Sequence, residues 1–138
     1  MESQVTAVVE SPVIREPKAS KRPKIVTYHI IGGTIGFPKA FVTIDIEGKH
    51  YTDEAVSKSG PLDATALAIK KVIAHDAVLV YFKARSVGRG TETQARVVIV
   101  LEDSKGRKMR AESIHSDTNL AFARAYLDAV TQLKLAVN

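Results

Sequence analysis

The sequence predicts an α+β fold made of two βββα units, each an antiparallel sheet with a helix on one face. Segments rich in β-branched and aromatic residues alternate with glycine-rich turns, a pattern typical of strands. Each group of strands is followed by a segment whose apolar residues recur at helical spacing. Because this order occurs twice, we predict repeats over about residues 24–75 and 77–138 within a folded domain at 24–138.

Residues 1–23 are interpreted as a flexible tether or amino-terminal extension. Pro12, Pro17 and Pro23 interrupt a polar stretch that contains only short apolar patches. Prolines remove ladder donors and favour extended coil, although a short strand or docking segment is an alternative. We expect residues 1 to about 22 to be mobile and dispensable for folding, because so little apolar surface cannot offset the entropy of ordering.

The first unit is predicted from residue 24 onward. Alternating apolar residues place its strands at 24–31, 40–47 and 49–57. Gly60 and Pro61 then end the sheet, and proline suits the first position of a helix. Apolar residues recur at helical spacing after Pro61, so we predict a helix over residues 61–74 with one apolar face.

The second unit repeats this order, with strands predicted at 77–87 and 94–101, a turn at 103–106, a third strand and a closing helix. A shift of 58 residues, the separation of Gly48 and Gly106, superposes the later parts of both units without a gap. Similar residues coincide at this shift: Glu54 and Glu112, Val56 and Ile114, Leu62 and Leu120, Ile69 and Leu127, Val72 and Val130. The alternative is that unrelated βββα hairpin layouts look alike.

The strand that contains Val97–Leu101 is apolar at successive positions. Both of its faces should therefore be covered, one by the helices and the other by a second subunit. We predict a homodimer whose interface uses the sheet face or edge formed by Val97–Leu101 and the neighbouring strands.

The composition limits the classes of function. A formal charge of +5 and a pI near 9.5 suggest phosphate binding, but acids and bases are interleaved and no nucleic-acid-binding motif is present. We therefore predict no nucleic-acid partner. The sequence has no cysteine and no stretch long and apolar enough to span a bilayer, which favours a cytoplasmic protein without a membrane partner.

The sequence contains no recognisable catalytic or metal-binding constellation. Its four histidines, His29, His50, His75 and His115, are isolated from one another and from carboxylate pairs. Nucleophile elbows, phosphate loops and dinucleotide fingerprints are also absent from the sequence. We predict a protein that is not an enzyme, with no metal and no cofactor.

The two predicted helix starts are the best candidate for ligand chemistry. Gly60-Pro61 opens the first helix and Ser116–Asn119 opens the second. Free backbone N–H groups at both starts are suited to an anion such as a carboxylate, and together they could hold a small zwitterion. Simple capping by Ser116 and Asp117 is the alternative.

These motifs resemble the carboxy-terminal regulatory domain of 2-isopropylmalate synthases and citramalate synthases. Gly60–Ala64 is similar to that family's Gly-Pro-Val-Asp-Ala helix start and follows a strand ending at Glu47–Lys49. Leu79–Phe82 resembles its fourth strand, before a glycine-rich turn. Asp117 precedes Ala123–Ala129, which is close to the family's Ala-Lys-Ala-Tyr-Leu-Asn-Ala. The resemblance covers about residues 24–135.

The resemblance implies a dimerising domain that binds leucine or isoleucine for feedback control of a synthase. It implies effector contacts from both helix starts and the fourth strand: Ser59, Gly60, Leu62, Asp63, Val78, Tyr81, Arg85, Ile114, Ser116 and Asp117. The catalytic barrel is absent, so the synthase would act in cis, on a longer chain, or in trans. Alternatives are a ligand-free dimerisation module and a basic nucleic-acid-binding domain.

Overall fold

The computed structural model describes residues 22–32 and 36–137. The predicted tether at residues 1–21 lies outside this part of the chain. Arg22 and Pro23, at its end, are half-buried, and the Arg22 guanidinium lies 3.7 Å from the Asp128 carboxylate.

The predicted α+β architecture is confirmed. The first unit consists of β1 (Lys24–Ile31), β2 (Lys39–Ile46), β3 (Lys49–Val56) and α1 (Pro61–Val72). The second consists of β4 (Val78–Val87), a short 3₁₀ helix (Gly90–Glu92), β5 (Gln94–Glu102), β6 (Lys108–His115) and α2 (Thr118–Val137). Within the described residues, no helix is long and apolar enough to cross a membrane.

Each unit forms an antiparallel three-stranded sheet, with strand orders β1-β2-β3 and β4-β5-β6. The edge strands β1 and β4 share an irregularity that the sequence did not reveal. The pairing register shifts between Ile25 and Thr27 in β1 and between Leu79 and Tyr81 in β4, which makes Val26 and Val80 equivalent bulge residues. The two units therefore match in local distortions as well as in strand order.

The hairpin between the second and third strands differs by one residue between the units. Glu47 and Gly48 form a two-residue turn with φ angles of 53° and 88°, the positive values that this tight turn requires. The equivalent turn is longer, and the Asp103 backbone N–H donates to the Arg107 carbonyl across it. The shift of 58 residues therefore applies from the third strand onward, whereas the second strands are related by 57, as between Val42 and Ile99, which are both buried. The first strands are related by 54, as between Val26 and Val80.

The core lies between the inner faces of the sheets and the helices. Alternate residues of the central strands are buried there: Ala40, Val42 and Ile44 in β2, and Val97, Ile99 and Leu101 in β5. Helix α1 packs on β2 and β3, while α2 packs on β5 and β6 and also contacts β1 and α1. Each sheet therefore buries one face against helices, as the sequence predicted.

In the single chain the outer face of β5 is only partly covered. Val98 and Val100 are half-buried there, between side chains of the neighbouring strands. The apolar run that is exposed along its whole length is in β4, where Val78–Phe82 are all at least 39% exposed.

Candidate functional site

A groove opens between α1, β4 and the first turns of α2, and we call it the helix-start groove. Its volume is about 390 Å³. The lining residues are Leu62, Asp63, Ala66, Leu67, Lys70, Ala77, Val78, Leu79, Phe122 and Tyr126. Apolar side chains form most of this surface, and Asp63 and Lys70 provide its charges. Such a mixture suits a small ligand with an aliphatic part and charged ends.

The start of α1 presents unsatisfied backbone donors beside this groove. Gly60 precedes the helix with φ 117°, a conformation that strains any residue with a Cβ. No side chain caps this helix, and the backbone N–H groups of Leu62 and Asp63 have no acceptor within the described residues. The positive end of the α1 dipole is therefore available to an anion.

The start of α2 is already satisfied by its own chain. The Asp117 carboxylate accepts hydrogen bonds from the backbone N–H groups of Asn119, at 2.9 Å, and Leu120, at 3.3 Å. Asp117 therefore has the capping role that was the alternative interpretation of this segment. The two helix starts are chemically different: the N–H groups of the second and third helical residues are bonded to Asp117 at α2, whereas at α1 they have no acceptor among the described residues.

A carboxylate and a phenol lie next to each other at the α1 end of the groove. The Ser57 hydroxyl donates to Asp63 at 2.5 Å, which fixes the position of this carboxylate. Burial, together with the nearby Asp63 charge, raises the pKa of Tyr126 to about 12. Tyr126 therefore remains a neutral hydrogen-bonding group at physiological pH, and Asp63 is the negative charge available to a ligand's ammonium group.

The Tyr126 hydroxyl is hydrogen-bonded to the His75 ring. The His75 Nδ1 atom accepts the Ala77 backbone N–H at 3.1 Å, so the neutral ring carries its proton on Nε2 and can donate to the Tyr126 hydroxyl, also at 3.1 Å. Burial lowers the pKa of His75, and the positive charges of Lys70 and Lys134 lower it further, against the opposing effect of Asp76. The fold therefore favours neutral His75.

We expect the free energy of unfolding to fall as the pH drops below about 6.5, the ordinary pKa of histidine. In this range the unfolded chain binds a proton at His75 more readily than the folded chain, and protonation removes the Nδ1 acceptor. Urea denaturation at pH 7.5 and pH 5 would measure the effect. Between pH 7.5 and pH 5, His75→Asn should lose less unfolding free energy than the parent. His50→Asn, at an exposed site, should lose as much as the parent. Equal losses in all three proteins would contradict this account.

The structure brings together only part of the predicted effector site. Leu62, Asp63 and Val78 line the helix-start groove, and Ser59 and Gly60 precede α1 beside it. Ser116 and Asp117 lie at the capped start of α2.

The other predicted contacts lie elsewhere. Tyr81 is paired with Val100, Arg85 with Arg96, and Ile114 with Arg96 from the other side. Since buried Val97, Ile99 and Leu101 alternate with these positions along β5, all three side chains are on the outer face of the sheet. One ligand in the helix-start groove cannot contact them in the same subunit.

Sequence reasoning did not identify the aromatic wall of the groove. Phe122 is 1% exposed and lies against both Phe82 and Tyr126, with ring centroids 5.9 and 5.6 Å apart. Ala66 and Leu67 of α1 were also missed as lining residues. The spacing of four between Phe122 and Tyr126 was a usable signal, because such residues share one face of a helix.

Comparisons with known proteins agree with this architecture. Residues 2–134 match the model of a family described as the LeuA allosteric (dimerisation) domain. A 2-isopropylmalate synthase of Methylorubrum populi is 36% identical over 118 residues, which are 86% of this chain and 22% of the relative. A 2-isopropylmalate synthase of a Caulobacter species is 33% identical over 132 residues, 96% of this chain and 24% of the relative.

A third 2-isopropylmalate synthase, from Bradyrhizobium diazoefficiens, is 35% identical over 126 residues, 91% of this chain and 24% of the relative. The chain thus spans less than a quarter of the length of these relatives. The model of one domain family matches nearly all of this chain. The expectation that this sequence carries no catalytic barrel is therefore confirmed.

Proposed function

The chain belongs to the LeuA allosteric (dimerisation) domain family, and from this premise we propose that it binds leucine or isoleucine in the helix-start groove for feedback control of a synthase. The relatives' names make a 2-isopropylmalate synthase the enzyme to test first, and a citramalate synthase is the alternative. The synthase would be joined to this domain in cis or associated with it in trans. The uncapped start of α1 beside an apolar groove is the observation that carries the proposal.

The groove offers a partner for each part of an amino acid. The ligand carboxylate accepts the free backbone N–H groups of Leu62 and Asp63, where the helix dipole favours negative charge. Its ammonium group faces the Asp63 carboxylate, which Ser57 holds in place. Its branched side chain packs against Val78 and Phe122. Valine, which is shorter by one methylene, should bind less tightly, by about 1–3 kcal/mol.

A second copy of the chain would complete this site. The groove borders β4, which is an edge strand with a run of exposed apolar residues over Val78–Phe82. Edge strands of this kind pair readily with other chains. Packing two copies along β4 would cover Val78 and Leu79, the part of this run that lines the groove, and would exclude water from the groove. The interface then uses the sheet edge next to β5, one of the two surfaces considered from the sequence.

We expect Val80→Lys to shift the protein from dimer to monomer. Val80 is the bulge residue of β4 and is 46% exposed, and a charge at an edge strand opposes pairing with a second chain. Sedimentation equilibrium at micromolar concentration would measure the change. Val26→Lys is the matched control, because Val26 is the bulge residue of β1 and is also 46% exposed.

The control should remain dimeric. If Val26→Lys dissociated and Val80→Lys did not, the interface would lie at the β1 edge. A parent protein that is monomeric at micromolar concentration would contradict the proposed dimer altogether.

Regulation requires the ligand to distinguish two dimer arrangements. An effector bound beside the interface shifts the equilibrium toward the arrangement that binds it more tightly. Control of a synthase follows only if the two arrangements also differ in their effect on its catalytic domain, and the coupling is then reciprocal. The catalytic domain should therefore alter the affinity of this domain for the amino acid.

Calorimetric titration of the purified chain with leucine, isoleucine and valine tests the proposal. Saturable heat with leucine or isoleucine, and weaker binding of valine, is the expected result. A dimer that binds none of the three would favour the ligand-free dimerisation module. Binding of duplex DNA or RNA without any response to amino acids would favour the nucleic-acid alternative.

A further inference from the structure

The outer face of the second sheet contains an open groove on the side opposite the helices, and we call it the basic face. Its volume is about 480 Å³. The lining residues are Tyr81, Lys83, Arg85, Arg96, Val98, Val100 and Arg110. They come from all three strands, because every second residue of β4, β5 and β6 points to this side. The sheet separates this groove from the helix-start groove.

The charges of the basic face can be compared with those on the outer face of the first sheet. That outer face balances its charges: Lys39 lies 3.3 Å from Glu54, and Lys24 lies opposite Asp45 in the strand register. The equivalent face of the second sheet has five cations, Lys83, Arg85, Arg96, Lys108 and Arg110, and two carboxylates. Glu112 lies opposite Val98 beside the groove, and Glu102, the counterpart of Asp45, lies opposite Lys108 at the end of the sheet. Since both units share one fold and register, the fold itself does not require this excess of positive charge.

The carboxylate beside the groove is shared between two arginines. Glu112 accepts from Arg96 at 2.5 Å and from Arg110 at 3.1 Å, and these hydrogen bonds lower its pKa. Lys83 and Arg85 have no carboxylate partner anywhere in the described part of the chain. Arg85 also lies directly opposite Arg96 in the strand register. Like charges at such positions destabilise a sheet, and a bound anion would remove this penalty.

The groove also has an apolar part. Val98 and Val100 form its floor, and the ring of Tyr81, which is 46% exposed, stands at one side. An inorganic anion would contact the cations but leave this floor in water. An anion with an apolar or aromatic body would cover it, because a ring can stack on tyrosine while its charged groups reach the cations.

We propose that the basic face binds a small organic anion that carries at least two negative charges and an apolar body. The groove volume lies within the range of small-molecule sites. The charges of the ligand are carboxylates or a phosphate ester, which Arg and Lys recognise alike. This site is independent of the amino-acid site, because it lies on the other face of the sheet.

Calorimetry at low ionic strength tests the site with phenyl phosphate and benzylsuccinate as probes, and inorganic phosphate and succinate as their counterparts without a ring. We expect saturable binding of at least one ring-bearing probe, more than tenfold tighter than its counterpart, and weakening with added salt. The ring-bearing probe that binds identifies phosphate or dicarboxylate as the charged group.

The double variant Lys83→Gln/Arg110→Gln should weaken this binding at least tenfold and leave leucine binding unchanged. The control Lys39→Gln/Lys49→Gln removes the same number of positive charges from the first sheet and should bind the probes like the parent. Equal weakening in both double variants would mean diffuse charge attraction and overturn the proposal. Failure of both ring-bearing probes to saturate at millimolar concentration would also overturn it. Tighter binding of hexaglutamate than of either probe would assign the face to an acidic protein segment instead.

Discussion

Replacing Leu62 by Asp is expected to weaken leucine or isoleucine binding severely. Leu62 lines the helix-start groove next to the free N–H groups of α1 and the Asp63 carboxylate. A new carboxylate there would compete with the ligand carboxylate for those donors, repel it, and lose the apolar contact with the branched side chain. A loss of about 2–4 kcal/mol corresponds to roughly 30- to 700-fold in Kd, measured by calorimetry.

Val56→Asp is the control for this substitution. Val56 is an exposed apolar residue at 48% exposure, on the outer face of the first sheet and opposite Lys39, where a carboxylate is accepted. The Val56→Asp variant should bind the amino acid with the same affinity as the parent. If Leu62→Asp folded normally, by circular dichroism and urea denaturation, and still bound leucine and isoleucine like the parent, the groove would be the wrong site and the dimerisation module the better interpretation.

Replacing Phe122 by Ala is expected to have the largest effect on stability. Phe122 of α2 is 1% exposed, and its ring contacts Phe82 of β4 and Tyr126 of α2. Truncation removes the buried ring and leaves a cavity at the meeting point of the core and the groove. Such changes cost about 3–5 kcal/mol of unfolding free energy. Urea denaturation should show a lower midpoint with a similar slope.

Phe37→Ala makes the same chemical change at a residue that is 61% exposed. It should alter the unfolding free energy by less than about 1 kcal/mol. Comparable losses for Phe37→Ala and Phe122→Ala would mean that the α2 contact with β4 contributes little to the fold. Phe122→Ala should also weaken amino-acid binding where the protein remains folded, because the ring is part of the groove wall.

The residues named for the effector site from the sequence lie in separate places in the structure. Leu62, Asp63 and Val78 were named from the helix start and the fourth strand, and they do line one groove. Tyr81 and Arg85 were named with them because the family resemblance implies effector contacts from the fourth strand, which is β4. In the strand register they lie opposite Val100 and Arg96, on the outer face of the sheet, and such a register, with its bulge at Val80, has no reliable signature in a single sequence.

The clustering of basic residues on one face could not be predicted from the sequence either. The excess of basic residues was visible in the composition, and it was interpreted as an interleaved, solvated surface. Lys83, Arg96 and Arg110 come from three different strands and gather on one face only through the pairing register. Distances along the chain do not report such a cluster, because cross-strand neighbours can be far apart in sequence.

The sequence by itself determined the repeated βββα order, the helix starts and the inner faces of the central strands, because periodicity and turn chemistry act locally along the chain. The structure decided which helix start remained open, through side-chain contacts between residues two to six positions apart. At α2 the Asp117 side chain folds back onto the first turn, whereas at α1 the nearby Asp63 carboxylate is engaged by Ser57 and leaves the backbone donors free. It also decided that β4 forms an exposed edge, because α2 packs mainly on β5 and β6. The exposed β4 edge depends on which distant elements come into contact, and a local pattern does not contain that information.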